Sequence, residues 1–130
     1  MKRYLLDTHV VLWGLTAPRR LGRTTLQILE HESVHVSALS VWELLLKHQL
    51  GKLTLPSGRL VEAIERAGAR FIPLMPEHAE SAAALGLMHG DPIDRLLVGT
   101  ARAERMVFVT RDAQILESAA AVLGGLLLEA

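Results

Sequence analysis

Short apolar runs alternate along the chain with longer stretches in which apolar positions recur every three or four residues, the pattern of strands interleaved with amphipathic helices. Tyr4-Leu5-Leu6, Val34-His35-Val36, Arg70-Phe71-Ile72-Pro73-Leu74, Met106-Val107-Phe108-Val109 and Leu126-Leu127-Leu128 predict five short strands. His35 alternates outward between valines and reads as an ordinary strand residue. The helical period predicts helices from Thr8 to the loop at Pro18, over 23–32, from Ser37 to Gly51, over 59–67, from Pro76 through Leu87, from Pro92 onward, and over 113–118. Strands that alternate with helices imply an α/β fold with a parallel sheet.

Four acids stand at equivalent places in that pattern. Asp7 and Asp112 follow the first and fourth strands, whereas Glu43 and Asp94 lie in the first turns of helices that follow loops. In a parallel sheet with crossover helices, strand ends and the first turns of the next helices share one rim, where α/β proteins carry their chemistry. Asp94 falls on the helix face of Leu97, Val98 and Ala101, so its carboxylate points with the apolar side; Arg95 shares the other face with Gly99 and Arg102.

Each acid also has a capping reading. Asp7 and Asp112 precede helices, Ser40 and Glu43 fit a capping box, Glu43 and Lys47 fit an i,i+4 pair, and Asp91 before Pro92 reads as an N-cap with Asp94 at the third position. The residues alone leave both readings open. Arg19, Arg20 and Arg23 form the densest basic cluster, either a solvated loop or a rim that contacts phosphate.

Composition narrows the function classes. At 130 residues with 50% apolar content, the chain is expected to form one domain over 1–130. Mean hydropathy is +0.28. That is generous for a soluble chain, and the Leu12-Trp13 and Leu44-Leu45-Leu46 runs suggest a homodimer and an apolar groove for a partner segment. Fourteen basic and 14 acidic residues cancel, so any nucleic-acid contact must come from a local patch. With no cysteine there are no disulfides, thiol nucleophiles or cysteine metal sites. An acid at position 7 interrupts any signal-peptide core, and no apolar run is long enough to span a bilayer, so the expectation is a soluble cytoplasmic protein.

Clustered carboxylates repel and normally imply a divalent cation, and all-oxygen ligation selects Mg2+ or Mn2+ over zinc. None of the six histidines forms a pair with zinc-binding spacing. A carboxylate-held magnesium is an apparatus of phosphoryl transfer, and no Walker A loop, dinucleotide turn, nucleophile elbow or kinase motif is present. Hydrolysis is what remains.

Leu5-Leu6-Asp7-Thr8-His9, Val36-Ser37-Ala38-Leu39-Ser40-Val41-Trp42-Glu43, His89-Gly90-Asp91-Pro92-Ile93-Asp94-Arg95-Leu96-Leu97-Val98 and Val109-Thr110-Arg111-Asp112 together resemble the four motifs of PIN domains, within that family the VapC-type toxin ribonucleases. The match spans nearly the whole chain in the family's order. The resemblance implies a three-layer α/β/α sandwich with a parallel sheet, an Mg2+- or Mn2+-dependent endoribonuclease, and a cognate antitoxin that occupies the cleft. It places catalysis on Asp7, Glu43, Asp94 and Asp112, with Asp7, Asp94 and Asp112 as metal ligands and Asp91 as a cap. Arg95 and Lys47, beside their acids, are candidates for contact with substrate phosphate or for orienting the carboxylates. Gly99-Thr100 departs from the family's usual Ala-rich pair, and the segment after Asp112 is more Ala-rich than usual. Two alternatives are weighed: a PIN-like module that binds without catalysis, and a receiver-like signalling domain. The second needs a lysine after the last strands, and the chain has none beyond Lys52.

Overall fold

The computed structural model of the chain describes residues 2–86 and 90–130. Leu87, expected in a helix, and His89, which opens the third motif, lie outside them. Five parallel strands, β1 (Arg3–Leu6), β2 (Ser33–Ser37), β3 (Arg70–Ile72), β4 (Val107–Thr110) and β5 (Leu127–Glu129), form one sheet in the order β3-β2-β1-β4-β5. The helices are α1 (Thr8–Thr16), α2 (Arg23–His31), α3 (Ala38–Gln49), α4 (Leu60–Arg66), α5 (Pro76–Ala83), α6 (Pro92–Glu104), α7 (Ala113–Ser118) and α8 (Ala120–Leu123). A 3-10 turn at Pro18–Arg20 follows α1, and another at Gly124–Leu126 leads into β5.

Two apolar clusters sandwich the sheet, as the period-2 alternation of strand side chains requires. Tyr4 and Leu6 of β1, Val34 and Val36 of β2 and Val107 and Val109 of β4 face one side, where Val10, Val11, Ile28, Leu44 and Ile64 of α1 to α4 cover them. Leu5 and Phe108 face the other, covered by Leu97, Val98 and Ala101 of α6, Ile115 of α7 and Leu123 of α8. The result is the expected α/β/α sandwich.

Crossover topology puts the first and fourth strands side by side: Leu5 is in register with Phe108, and the Asp7 amide donates to the Val109 carbonyl at 2.9 Å. The switch in strand order between β1 and β4 therefore opens beside Asp7, the place where open α/β sheets bind ligands. Two local expectations change. Ser37 rather than Ser40 caps α3, its hydroxyl accepting from the Leu39 amide, because the helix begins a turn earlier than the capping-box spacing suggested. Gly99 is buried on α6 rather than turned outward with Arg95, because α5 packs across that face.

Candidate functional site

Asp7 ends β1 and caps α1, and it is 2% exposed. One carboxylate oxygen accepts from the Thr8 amide at 2.8 Å and the other from the Thr110 hydroxyl at 2.7 Å. Burial pushes this carboxyl above the ordinary carboxylate range; the Thr110 and Thr8 hydrogen bonds and the nearby His9 pull it back, and Glu43 adds to the rise. Asp112 caps α7 with a single oxygen, Oδ1, which accepts from the Gln114 and Ile115 amides at 2.8 and 3.1 Å. Its own amide donates to the Thr110 hydroxyl at 3.1 Å. The Thr110 hydroxyl thus accepts a hydrogen bond from the backbone of one acid and donates one to the side chain of the other.

Glu43 reaches the same rim from α3 and is buried. Its Oε2 pairs with Lys47 Nζ at 3.0 Å, one turn on, but Oε1 is enclosed and meets no donor among the described residues. A buried carboxylate oxygen left without a partner is costly, and a cation or a bound water would satisfy it. The Thr8 and Ser40 hydroxyls, 2.9 Å apart and both buried, tie the first turn of α1 to that of α3.

Asp94, in the first turn of α6, is half-buried. Its carboxyl is pushed up to about 7, first by burial and then by the charges of Asp7, Asp91, Asp112 and Glu43, in that order. All three of the other sequence-chosen acids act on it. Asp91 itself caps α6, accepting from the Ile93 and Asp94 amides at 2.9 and 3.1 Å. The capping reading and the cluster reading are therefore both true of Asp7 and Asp112: a carboxylate has two oxygens and enough lone pairs to serve a helix end and a ligand together.

The PIN domain family matches residues 4–121, a span that contains all four acids. The chain belongs to the PIN domain family. Ribonuclease VapC22 of Mycobacterium tuberculosis is 32% identical over 119 residues, which are 88% of this chain and 91% of that protein. VapBC2 from Rickettsia felis, solved bound to a DNA fragment from its promoter, superposes with a TM-score of 0.67 at 15% identity, covering 98% of this chain and 97% of that one. A toxin–antitoxin complex from Klebsiella pneumoniae gives 0.62 at 16% identity, covering 96% and 95%. At such identities the two structures speak for the fold.

Two sequence-chosen cations of this PIN domain point in different directions. Lys47 stays with Glu43, whereas Arg95 donates to the Ala82 and Gly86 carbonyls, both at 3.2 Å, and so closes the end of α5. Thr110 and Thr8 were not singled out in the sequence, and Ser40 was read only as a cap; a threonine that ends a strand one residue before Arg111-Asp112 was the available signal for the first. Among the described residues, Glu77, His78 and Glu104 are the one group of three whose ligand atoms lie within 4.8 Å of one another; no three of Asp7, Glu43, Asp94 and Asp112 come that close, although their charges act on one another. The Glu77 group is better explained as a clamp. His78 Nδ1 accepts from the Met75 amide at 3.0 Å, so Nε2 carries the proton and donates to Glu104 Oε2 at 2.7 Å, occupying the position a metal would need.

Proposed function

We propose that this PIN domain is an endoribonuclease toxin of the VapC type, dependent on Mg2+ or Mn2+ and restrained by a cognate antitoxin, with residues 1–130 acting as one catalytic domain. The observation that carries the reading is that Asp7, Glu43, Asp94 and Asp112 stand near enough for the charges of the other three to act on Asp94, with an enclosed Glu43 oxygen that has no donor among the described residues. Oxygen donors on hard carboxylates fit Mg2+ or Mn2+, and Asp7, Asp94 and Asp112 would hold the ion with Glu43 completing the site. When bound, such an ion supplies Lewis acidity and a water of lowered pKa for attack on a phosphodiester. Thr110 fixes the orientation of Asp7, and Lys47 holds one oxygen of Glu43 so that the other faces inward. Arg95 serves the site by anchoring the start of α6 to α5.

An antitoxin fits a second, apolar surface on the side of the sheet that α1 to α4 cover. A half-open apolar cavity of about 340 Å3 lies between α1, α2, α4 and the sheet, lined by Val10, Val11, Leu26, Leu29 and Ile64, a shape suited to the apolar face of a helix. Among the described residues no helix is long and apolar enough to cross a membrane. The test is cleavage of RNA with Mn2+. Asp7→Asn and Asp94→Asn keep the side-chain shape but not the charge, and each should lower kcat/KM by at least about a hundredfold while the protein stays folded. Full activity in either variant would refute the site, and a wild-type chain that binds antitoxin but never cleaves would be a non-catalytic PIN module.

A further inference from the structure

Beside the acid rim, three side chains form a group that the metal site does not use. Trp13, on α1, carries the Arg20 guanidinium over its ring at 4.3 Å from the centroid, and the Arg111 guanidinium lies 6.0 Å from the same centroid. Arg111 also donates to the Arg20 carbonyl, which ties the turn after α1 to the end of β4. His9, one helical turn before Trp13, sits with its ring 6.1 Å from the indole and close enough to Asp7 to act on that carboxyl's charge. Arg111 itself stands between Thr110, which donates to Asp7, and Asp112. The group is therefore continuous with the rim.

Both guanidiniums are exposed, and neither takes part in an ion pair among the described residues. Two like charges held on one aromatic ring repel each other, and the ring face and the backbone bond only partly offset this. Such an arrangement is completed by an anion that both forks can grip, and phosphate oxygens match guanidinium geometry bidentately. A polyanion that approaches four carboxylates also needs cations at the edge to hold it there. Lys47 and Arg95 are engaged with protein groups, whereas Arg20 and Arg111 are exposed and tied to the rim through Trp13 and the end of β4.

We propose that Arg20 and Arg111, held side by side by Trp13, form a phosphodiester subsite that grips the RNA strand next to the scissile bond and so fixes its path across the acids. The proposal rests on the nuclease reading, and a binding measurement separates the two. A fluorescein-labelled single-stranded RNA oligonucleotide of mixed sequence is titrated with the full chain in EDTA at several salt concentrations, and cleavage in Mn2+ is measured in parallel. Arg20→Ala and Arg111→Ala should each weaken RNA binding by about tenfold. Each should also lower the slope of log K against log salt by about 0.7. In cleavage both should raise KM and leave kcat within about twofold, since the lost contact is uniform binding. Trp13→Phe should retain most of the affinity and Trp13→Ala should lose it, although both arginines remain. Wild type that cleaves while the arginine variants keep its affinity and salt slope overturns the subsite and spares the nuclease. Wild type that binds RNA but does not cleave, with binding lost in both variants, supports the subsite and sinks the nuclease. Loss of affinity for an acidic antitoxin peptide, with RNA binding intact, assigns the arginines to the protein partner and overturns the proposal.

Discussion

Asp94 concentrates the electrostatics of this protein in one side chain. An unfolded aspartate titrates near 3.9, whereas in the folded chain burial and four neighbouring carboxylates raise it to about 7. Between those values the native state keeps a proton that the unfolded state has lost, so this residue's contribution to stability falls as pH rises from about 4 to about 7. Asp94→Asn removes the penalty. In EDTA at pH 8 the variant should melt a few degrees above wild type, since each kcal/mol is worth about 3–6 °C in a domain of this size. The gap should close towards pH 4, and Mn2+ should raise the wild-type melting temperature more than the variant's. Calorimetry at pH 4, 6 and 8 checks this, and a variant that melts lower at every pH would reduce Asp94 to a helix-start residue. That Asp7, Asp94 and Asp112 approach one another was legible because strand ends and first helical turns share a rim; Glu43 was expected in a first turn and instead reaches the others from the second turn of α3, since that helix begins at Ala38. What they meet with was not legible. Thr110 links Asp7 to Asp112 through two hydrogen bonds, and the one to Asp7 crosses between β1 and β4, a pairing that appears only when the two strands are laid side by side.

Helices α5 and α6 show where periodicity stops being informative. A helical wheel separates an apolar face from a polar one, and it placed Gly99 with Arg95 on the polar side; but α6 is covered twice, by the sheet and by α5. Gly99 is the point of closest approach: a Cβ there would lie 2.6 Å from the Ala82 Cα and amide nitrogen. The missing side chain lets the two backbones meet, while Arg95 and the His78–Glu104 bond clamp the two helices at either end. Gly99→Ala gains up to about 1 kcal/mol of helix propensity. The clash is with backbone and cannot be relieved by a rotamer change, so overpacking of about 1–3 kcal/mol should exceed that gain. Denaturant unfolding should show a lower midpoint at unchanged slope; an equal or higher midpoint would mean that α5 shifts freely. The seven longer helices and all five strands were anticipated from their period, whereas α8 and the turn after it were not, since four residues of alanine, valine and leucine carry no phase.

At the scale of the whole molecule, apolar surface is left uncovered in one region. The sheet runs in the order β3-β2-β1-β4-β5, and apolar clusters cover both of its faces. The apolar runs noted in the sequence are mostly absorbed: Leu44 is 1% exposed, and Leu12 and Trp13 pack against the core. Apolar excess remains on α3 and near the end of β3, where Trp42 is 56% exposed, Leu45 41%, Leu50 60%, Leu74 40% and Met75 41%. Trp42 and Leu45 are three positions apart and share one helix face, the arrangement of an interface anchor. We expect the PIN domain to dimerise through this face of α3, leaving the cavity between α1, α2 and α4 for the antitoxin. Trp42→Glu places a charge where a desolvated contact would form, yet at an exposed site it should change the melting temperature of the subunit by no more than about 3 °C. Light scattering at tens of micromolar should then report a dimer for wild type and a monomer for Trp42→Glu, a concentration chosen because typical dimers are populated there. If the variant dimerises as wild type does, the contact lies on another face; if wild type is itself a monomer at that concentration, the exposed tryptophan has some other partner.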